Sequence, residues 1–201
     1  MQGEADSAGF PTVFVRLTGC PLRCRYCDTG YAFYEGDWTT VSDVVGKVQT
    51  FSTRHVCVTG GEPLAQVGCL RLLTKLCDLG YRVSLETSGA LDISAVDPRV
   101  VRVVDIKTPG SGEEARNRLE NLSDLRPTDL LKFVLCSRED YDWSKAFIER
   151  HALEVRCEIL FSPSFKQLTP LDLAEWILRD RLGVRFQLQL HKILWGDVRG
   201  K

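Results

Sequence analysis

The 201-residue chain reads as an α/β domain built on parallel strands and wound into a barrel or part of one. Three observations predict this. Short β-branched runs alternate with amphipathic segments of helical period. Several of the runs are almost wholly apolar, as strands are when both faces of a parallel sheet are covered. The polar and glycine-bearing motifs fall directly after the runs, where ligands gather in such folds.

The first predicted strand is Thr12–Leu17, and the next are residues 55–59, 82–86 and 100–106. Leu130–Leu135, residues 155–161 and residues 185–190 complete the set. Between them, residues 41–51 form a helix for which Thr39, Thr40 and Ser42 are candidate N-caps. Residues 65–79 put Leu72, Leu73, Leu76 and Leu79 on one stripe and stop at Gly80. Residues 140–151 and 170–182 are the remaining helices, the latter ending before Gly183. There is no internal repeat, linker or low-complexity tract, so one domain spanning residues 1–201 is expected. Residues 108–125 are polar and contain glycine, the best candidate for a mobile loop.

Net charge is −1 with acids and bases interspersed, which argues against a nucleic-acid surface or a membrane patch. No apolar run approaches the ~20 residues of a membrane span. The start, Met-Gln-Gly-Glu-Ala-Asp, lacks the basic and apolar regions of a signal peptide. Eight cysteines without an export signal suit a reducing compartment, where thiols serve metals more often than disulfides. A cytoplasmic protein is expected.

The chemistry begins with Cys20, Cys24 and Cys27, spaced C-x3-C-x2-C. A structural zinc ion takes four protein ligands and a cubane [4Fe–4S] cluster normally takes four cysteines. Three thiolates therefore leave one metal corner open for a small molecule. A zinc site with a distant fourth ligand, or three buried thiols, are the plainer readings. Cys57, Cys69, Cys77, Cys136 and Cys157 each stand alone among apolar residues and read as small buried hydrophobes.

Thr59-Gly60-Gly61-Glu62-Pro63 follows a strand, and its glycines let the backbone approach a ligand closely. By itself this is equally an ordinary strand-to-helix turn. Glu86-Thr87-Ser88-Gly89, Asp105-Ile106-Lys107 and Ser162-Pro163 stand at later strand ends, as ligand contacts or as plain polar termini. Asp28 and Thr29 offer hard oxygen donors suited to magnesium, or simply make a turn. Arg16 shares a pleat face with Phe14 and could grip a carboxylate or carbonyl through two parallel hydrogen bonds. A surface arginine on a strand is the alternative.

The cysteine spacing, the aromatic Tyr26 before the last cysteine and the Gly60-Gly61-Glu62-Pro63 turn together resemble the radical S-adenosylmethionine (SAM) superfamily. The resemblance implies a [4Fe–4S] cluster on Cys20, Cys24 and Cys27, its open iron chelating the methionine part of SAM. It also implies SAM contacts at Tyr26, Asp28, Gly60, Gly61, Glu62, Ser88, Asp105, Ile106 and Lys107. Ser162, Pro163 and Ser164 would lie on the adenine side.

Adding Gln2-Gly3-Glu4, the run from Phe14 to Pro21, Asp28-Thr29, Glu86-Thr87-Ser88-Gly89 and the closing Gln189-Leu190-His191-Lys192 with Trp195-Gly196, the chain is similar to the 7-carboxy-7-deazaguanine synthase family over nearly its whole length. That family converts 6-carboxy-5,6,7,8-tetrahydropterin to 7-carboxy-7-deazaguanine and ammonia, an early step towards 7-deazapurines such as queuosine. Hydrogen abstraction and ring contraction are Mg2+-dependent, and SAM is regenerated. The resemblance implies Thr29 at the magnesium ion and Gln2, Gly3, Glu4, Arg16 and Thr59 at the substrate. No side chain is expected to act as acid or base beside the cofactor-derived radical. His191 reads equally as a structural or a substrate contact. A flavodoxin- or ferredoxin-type reductant, a homodimer and a reduced, partly open TIM-like (β/α) barrel are implied as well. In the family a strand precedes Gln-Gly-Glu; here Met1 stands directly before Gln2, so that strand is expected to be missing. A glycyl-radical-enzyme activase shares the cysteine spacing but needs no pterin-reading residues. A non-enzymatic metal-binding module would bind no SAM.

Overall fold

A computed structural model describes residues 1–196, 198 and 199. Seven strands form one sheet: β1 (Thr12–Leu17), β2 (His55–Gly60), β3 (Arg82–Thr87), β4 (Val101–Ile106), β5 (Leu130–Leu135), β6 (Glu158–Pro163) and β7 (Arg185–Phe186). They lie in sequence order and every neighbouring pair is parallel. Parallel neighbours need crossover connections. Four of these carry helices: α1 (Val41–Gln49), α2 (Cys69–Asp78), α3 (Arg138–His151) and α4 (Pro170–Asp180); α5 (Leu190–Trp195) follows β7. The result is a reduced, open (β/α) barrel with β1 and β7 as its edges.

Local chemistry sets the helix starts. Thr40 caps α1 by accepting from the Asp43 N–H at 3.1 Å, and Thr169 caps α4 in the same way from Asp172 at 3.1 Å. Ser137 caps α3, which therefore starts two residues ahead of its predicted first residue, Asp140. Helix α2 is shorter than residues 65–79, because Pro63–Ala65 first make a 3-10 turn capped by Glu62. Helix α4 stops at Asp180, where Arg181 turns left-handed.

Two predicted strands differ more. The apolar start of residues 155–161 belongs to a 3-10 turn, Leu153–Val155, and Val155 is exposed; β6 begins at Glu158. Residues 185–190 pair only briefly, through Arg185 and Phe186. After the Gln187 N–H bonds to the Phe161 carbonyl, the chain turns to meet the N-terminal segment, and Leu190 donates to the Gly3 carbonyl at 3.1 Å. The polar stretch 108–125 is not featureless. It forms three 3-10 helices, pinned by Asn117 and Asn121 side chains to the Lys107, Gly89 and Leu91 backbone.

Alternation along the strands divides the core. Outward residues of β2 and β3 (Val56, Val58, Val83, Leu85) pack on Val45 and Val48 of α1 and on Leu72, Leu73 and Leu76 of α2. Leu131, Phe133, Leu135, Ile159 and Phe161 pack with Tyr141, Phe147, Ile148, Leu173 and Ile177 of α3 and α4. Inward, Val103, Leu130 and Leu160 meet Ala5 of the N-terminal segment. Cys69 and Cys157 lie in the outer clusters and Cys57 is buried, while Cys77 and Cys136 are half-buried. Among the described residues no helix is long and apolar enough to cross a membrane.

The crossovers on either side of β4 carry no α-helix, and a buried ion pair takes over their anchoring. Arg102 and Asp129 are both buried, 2% and 0% exposed. Asp129 also accepts from the Arg126 N–H at 2.7 Å, and the guanidinium donates to the Ile93 and Asp124 carbonyls. One arginine thus ties both helix-less loops to the sheet. Removing one partner of a buried pair leaves an uncompensated charge and costs about 3–5 kcal/mol. Arg102→Met is expected to show a loss of that size in urea denaturation, with the double change Arg102→Met, Asp129→Leu recovering part of it.

Candidate active site

The C-terminal end of β2 sets the site. Gly60 pairs with Leu17 of β1, at a φ of +147°. A Cβ at Gly60 would stand 1.8 Å from the Leu17 carbonyl oxygen, and one at Gly61 would stand 2.2 Å from that of Gly19. Only glycine fits. The same closeness lets the Gly61 N–H donate to Leu17 at 2.9 Å and the Glu62 N–H to Gly19 at 2.7 Å. The first residue of the cysteine loop, Cys20, therefore sits on top of the glycine turn.

Glu62 ties this turn to the next strand end. Its carboxylate is fully buried and accepts from the Ser88 N–H at 2.7 Å, from the Thr87 hydroxyl at 2.9 Å, from the Leu64 N–H at 3.0 Å and from the Ser88 hydroxyl. The cysteine loop is braced from the far side by the segment after β4. There Arg25 N–H donates to the Ser111 carbonyl at 2.9 Å, and Arg23 N–H to Glu113 at 2.6 Å.

Above the strand ends lies one cavity of about 1030 Å3. Cys20, Cys24 and Cys27 line it, with Cys27 exposed and the other two half-buried. Among the described residues no three His, Cys, Asp or Glu side chains converge at metal-ligand spacing; the thiols share a wall. Burial pushes the Cys20 thiol up and the Cys24 thiol up to about 11, so each needs a cation to hold it as thiolate. Beyond them stand Tyr26, Asp105 and Lys107. Lys107 donates to Asp105 at 2.8 Å and lies 5.9 Å from the Tyr26 ring centre. Burial opposes the Lys107 charge, but Asp105 and Cys24 together outweigh it and hold the amine above its usual range. The Tyr26 hydroxyl and the second Asp105 oxygen are buried without a hydrogen-bond partner. Buried polar atoms of that kind invite a polar ligand. Three soft thiols, a side-chain-free backbone and two unpartnered polar atoms fit a metal cluster with a polar organic ligand beside it.

The same cavity is also lined by Gln2, Gly3, Glu4, Arg16, Thr59, Glu86, Lys132, Gln189 and His191. Gln2 donates to Glu86 at 3.1 Å, and the Thr59 hydroxyl donates to the same carboxylate at 2.9 Å. Glu4 is paired with Lys132 and accepts from Gln189 at 2.7 Å. Gly3 has no room for a side chain, because His191 Nδ1 would lie 2.4 Å from its Cβ. The Thr29 hydroxyl donates to Asp28 at 2.8 Å, and both residues face the cavity.

A family model described as the Radical SAM superfamily matches residues 14–105. Over its whole length the chain is 48% identical to a 7-carboxy-7-deazaguanine synthase of Chlorobaculum tepidum, covering 100% of this chain and 93% of that protein. It is 40% identical to the enzyme of the same name from Koribacter versatilis, covering 97% and 93%. The chain belongs to the 7-carboxy-7-deazaguanine synthase family. The crystal structure of QueE from Escherichia coli has the same fold, with a TM-score of 0.71 over 95% of this chain and 90% of that one, at 24% identity.

Most of the residues singled out in the sequence meet in this family member's cavity, and four do not. Ile106 faces outward, because β4 sends Val103 and Asp105 inward and Val104 and Ile106 to the helix side. Glu62 is consumed by its bonds to Thr87 and Ser88 beneath the cavity floor. Ser162 and Pro163 are buried as the last residues of β6 and lie outside the lining, whereas Ser164 reaches it. Glu86 and Lys132 were missed as individual contributors. A lone charge in the apolar run Leu-Leu-Lys-Phe-Val-Leu was the signal for Lys132. His191 lies in α5, not on a strand.

Gly60→Ala forces a side chain onto the β1 backbone and displaces the base of the cysteine loop. It is expected to lower the melting temperature and to weaken SAM binding by more than about tenfold, read by calorimetry on reconstituted protein. Unchanged SAM affinity would show that the close approach to Leu17 does not shape the site.

Proposed function

We propose that this chain converts 6-carboxy-5,6,7,8-tetrahydropterin to 7-carboxy-7-deazaguanine and ammonia as a single radical SAM domain. One observation carries the reading: three thiols and a hydrogen-bonding set of Gln2, Glu4, Thr59 and Glu86 line the same cavity in a chain 48% identical to a named synthase. Cys20, Cys24 and Cys27 would hold a [4Fe–4S] cluster. Gly60, Gly61 and Ser88 would receive the amino acid part of SAM, and Tyr26, Asp105, Lys107 and Ser164 would line its nucleoside side. When bound, the cluster and SAM supply a carbon-centred radical that removes a hydrogen atom from the pterin.

The chain's own residues position the pterin. The Gln2-Gly3-Glu4 segment and Glu86 present hydrogen-bond acceptors to its amino edge. Arg16, which lines the same cavity, would offer a guanidinium to its carboxylate or carbonyl oxygen. Asp28 and Thr29 line the cavity, and Mg2+ bound through Thr29 would also engage the substrate carboxylate. Cys27 is exposed, which suits entry of an electron from a small flavodoxin- or ferredoxin-type donor. The unpaired edges at β1 and β7 suit burial in a homodimer. The reduced thiols suit the cytoplasm.

The reading is tested by mass spectrometry of an anaerobic reaction containing reconstituted protein, SAM, Mg2+, reductant and the pterin. 7-Carboxy-7-deazaguanine is expected to accumulate without matching loss of SAM. 5′-Deoxyadenosine without the deazaguanine would refute the substrate, and neither product from cluster-loaded protein would refute the enzyme. Cys27→Ala is expected to abolish product and the iron–sulfur absorbance together. Thr29→Ala is expected to retain SAM binding while weakening the response of turnover to Mg2+, checked by a metal titration.

A further inference from the structure

Lys132 is the charged residue in an otherwise apolar strand. Along β5, Leu131, Phe133 and Leu135 face the outer core, while Leu130, Lys132 and Val134 face inward. The lysine therefore enters the barrel next to Asp105, its register partner on β4. Its ammonium pairs with Glu4, and the two side chains are 14% and 11% exposed. A lysine on this strand costs desolvation without serving the core. Its position at the substrate end of the cavity gives it a use.

The hydrogen bonds there can be counted. Gln2 Oε1 accepts from the Gly3 and Glu4 N–H groups at 2.8 and 3.3 Å, which turns its amide nitrogen towards Glu86. Glu86 accepts from Gln2 on one oxygen and Thr59 on the other. Glu4 accepts from Gln189 on one oxygen and Lys132 on the other. An ionised carboxylate has roughly four acceptor sites, so each keeps capacity for a ligand. The wall therefore offers acceptors, and a complementary ligand edge carries N–H donors. Two carboxylates in one cavity repel, and the nearer one would take up a proton unless a cation lay between them. A protonated Glu4 would present a donor to a donor.

We propose that Lys132 is a positioning residue that keeps Glu4 ionised and fixed in the cavity, so that the site selects a heterocycle with an exocyclic amino group over its deamino analogue. The inference rests on the pterin reading above and assigns the source of its specificity. The electrostatics agree. Burial works to raise the Glu4 carboxyl, and Lys132 outweighs it, with Gln189 and His191 assisting, so that Glu4 sits below its usual range. Burial likewise opposes the Lys132 charge, and Glu4, then Asp105 and Glu86, hold it well above the usual lysine range. The groups facing the pair are thus Glu86 from β3, Asp105 from β4, Lys107 just after it, and Gln189 and His191 from the C-terminal segment.

The test is calorimetric binding of 7-carboxy-7-deazaguanine and its 2-deamino analogue to cluster- and SAM-loaded protein. Wild type is expected to favour the amino compound by at least about a hundredfold, since a site built for an N–H donor rejects a ligand lacking it. Lys132→Met is expected to bring that ratio within about tenfold while SAM affinity stays unchanged. With the lysine gone, buried Glu4 titrates upward, so amino-compound affinity should rise from about pH 6 to 8 in the variant and stay flat in wild type. Glu4→Gln should lose the preference without gaining the pH dependence, and Lys132→Arg should keep both wild-type properties. Equal weakening of both ligands in Lys132→Met, or full discrimination in Glu4→Gln, would overturn the proposal and leave a structural latch. If Lys132→Met fails to fold, Glu4→Gln and Lys132→Arg decide alone. Wild type that binds neither compound would overturn the pterin reading itself.

Discussion

The contact between Gly60 and Leu17 is the constraint on which the site depends. Two parallel strands end side by side, and the turn that leaves β2 crosses the start of the loop that leaves β1 with no space for a side chain. Backbone N–H groups at Gly61 and Glu62 then bond to carbonyls at Leu17 and Gly19. The thiol-bearing loop and the glycine turn are consequently one unit, fixed by main-chain geometry. Glu62 extends it to Ser88 at the end of β3, and Arg25 extends it to Ser111 beyond β4. Four strand ends are coupled through short polar contacts, so a ligand spanning them meets a surface already organised.

This organisation explains which parts of the fold were legible in the sequence. The inner strands were readable because an apolar run with both faces covered has few alternative structures, as Val56 to Val58 and Val103 to Ile106 illustrate. The cysteines and glycines were readable because their residue types are chemically restricted. Val155 misled because an apolar residue in an exposed 3-10 turn gives the same local signal as the first residue of a strand. Leu190 misled for a different reason. It could have continued β7, but its N–H is taken by Gly3, a partner 187 positions away that no local pattern reveals. Ile106 shows the finer limit: a motif places a residue at a strand end, whereas the parity of the strand decides which face it serves.

Buried charge is the second organising theme. The sheet carries Arg102, Lys107 and Lys132 inside, and each is matched to one carboxylate: Asp129, Asp105 and Glu4. The first pair lies on the outer face and anchors two loops lacking helices. The other two lie in the cavity, spaced along adjacent strands. Unpaired, any of these cations would oppose folding. Paired, they cost little and leave carboxylate oxygens turned to the cavity. The same pairing that allows a polar interior also sets what that interior recognises.

The Gln2–Glu4 wall of the cavity depends on a condition that the cysteine wall does not. Cys20, Gly60, Ser88 and Asp105 all come from the first four strand ends, and successive connections bring them together. Gln2, Gly3 and Glu4 instead reach the cavity by docking against the far end of the chain: Arg185 and Gln187 donate to the Ala5 carbonyl, Leu190 to Gly3, and Gln189 to Glu4. The segment lies between the two sheet edges and supplies Ala5 to the interior beside Val103, Leu130 and Leu160. Among the described residues its hydrogen bonds have the largest sequence separation, and with it the greatest loop-closure cost. The Gln2–Glu4 segment is thus held by long-range contacts, while the thiol and glycine unit is held by contacts of shorter range. A ligand that contacted both Glu4 and the strand ends would add its binding free energy to the docking of this segment.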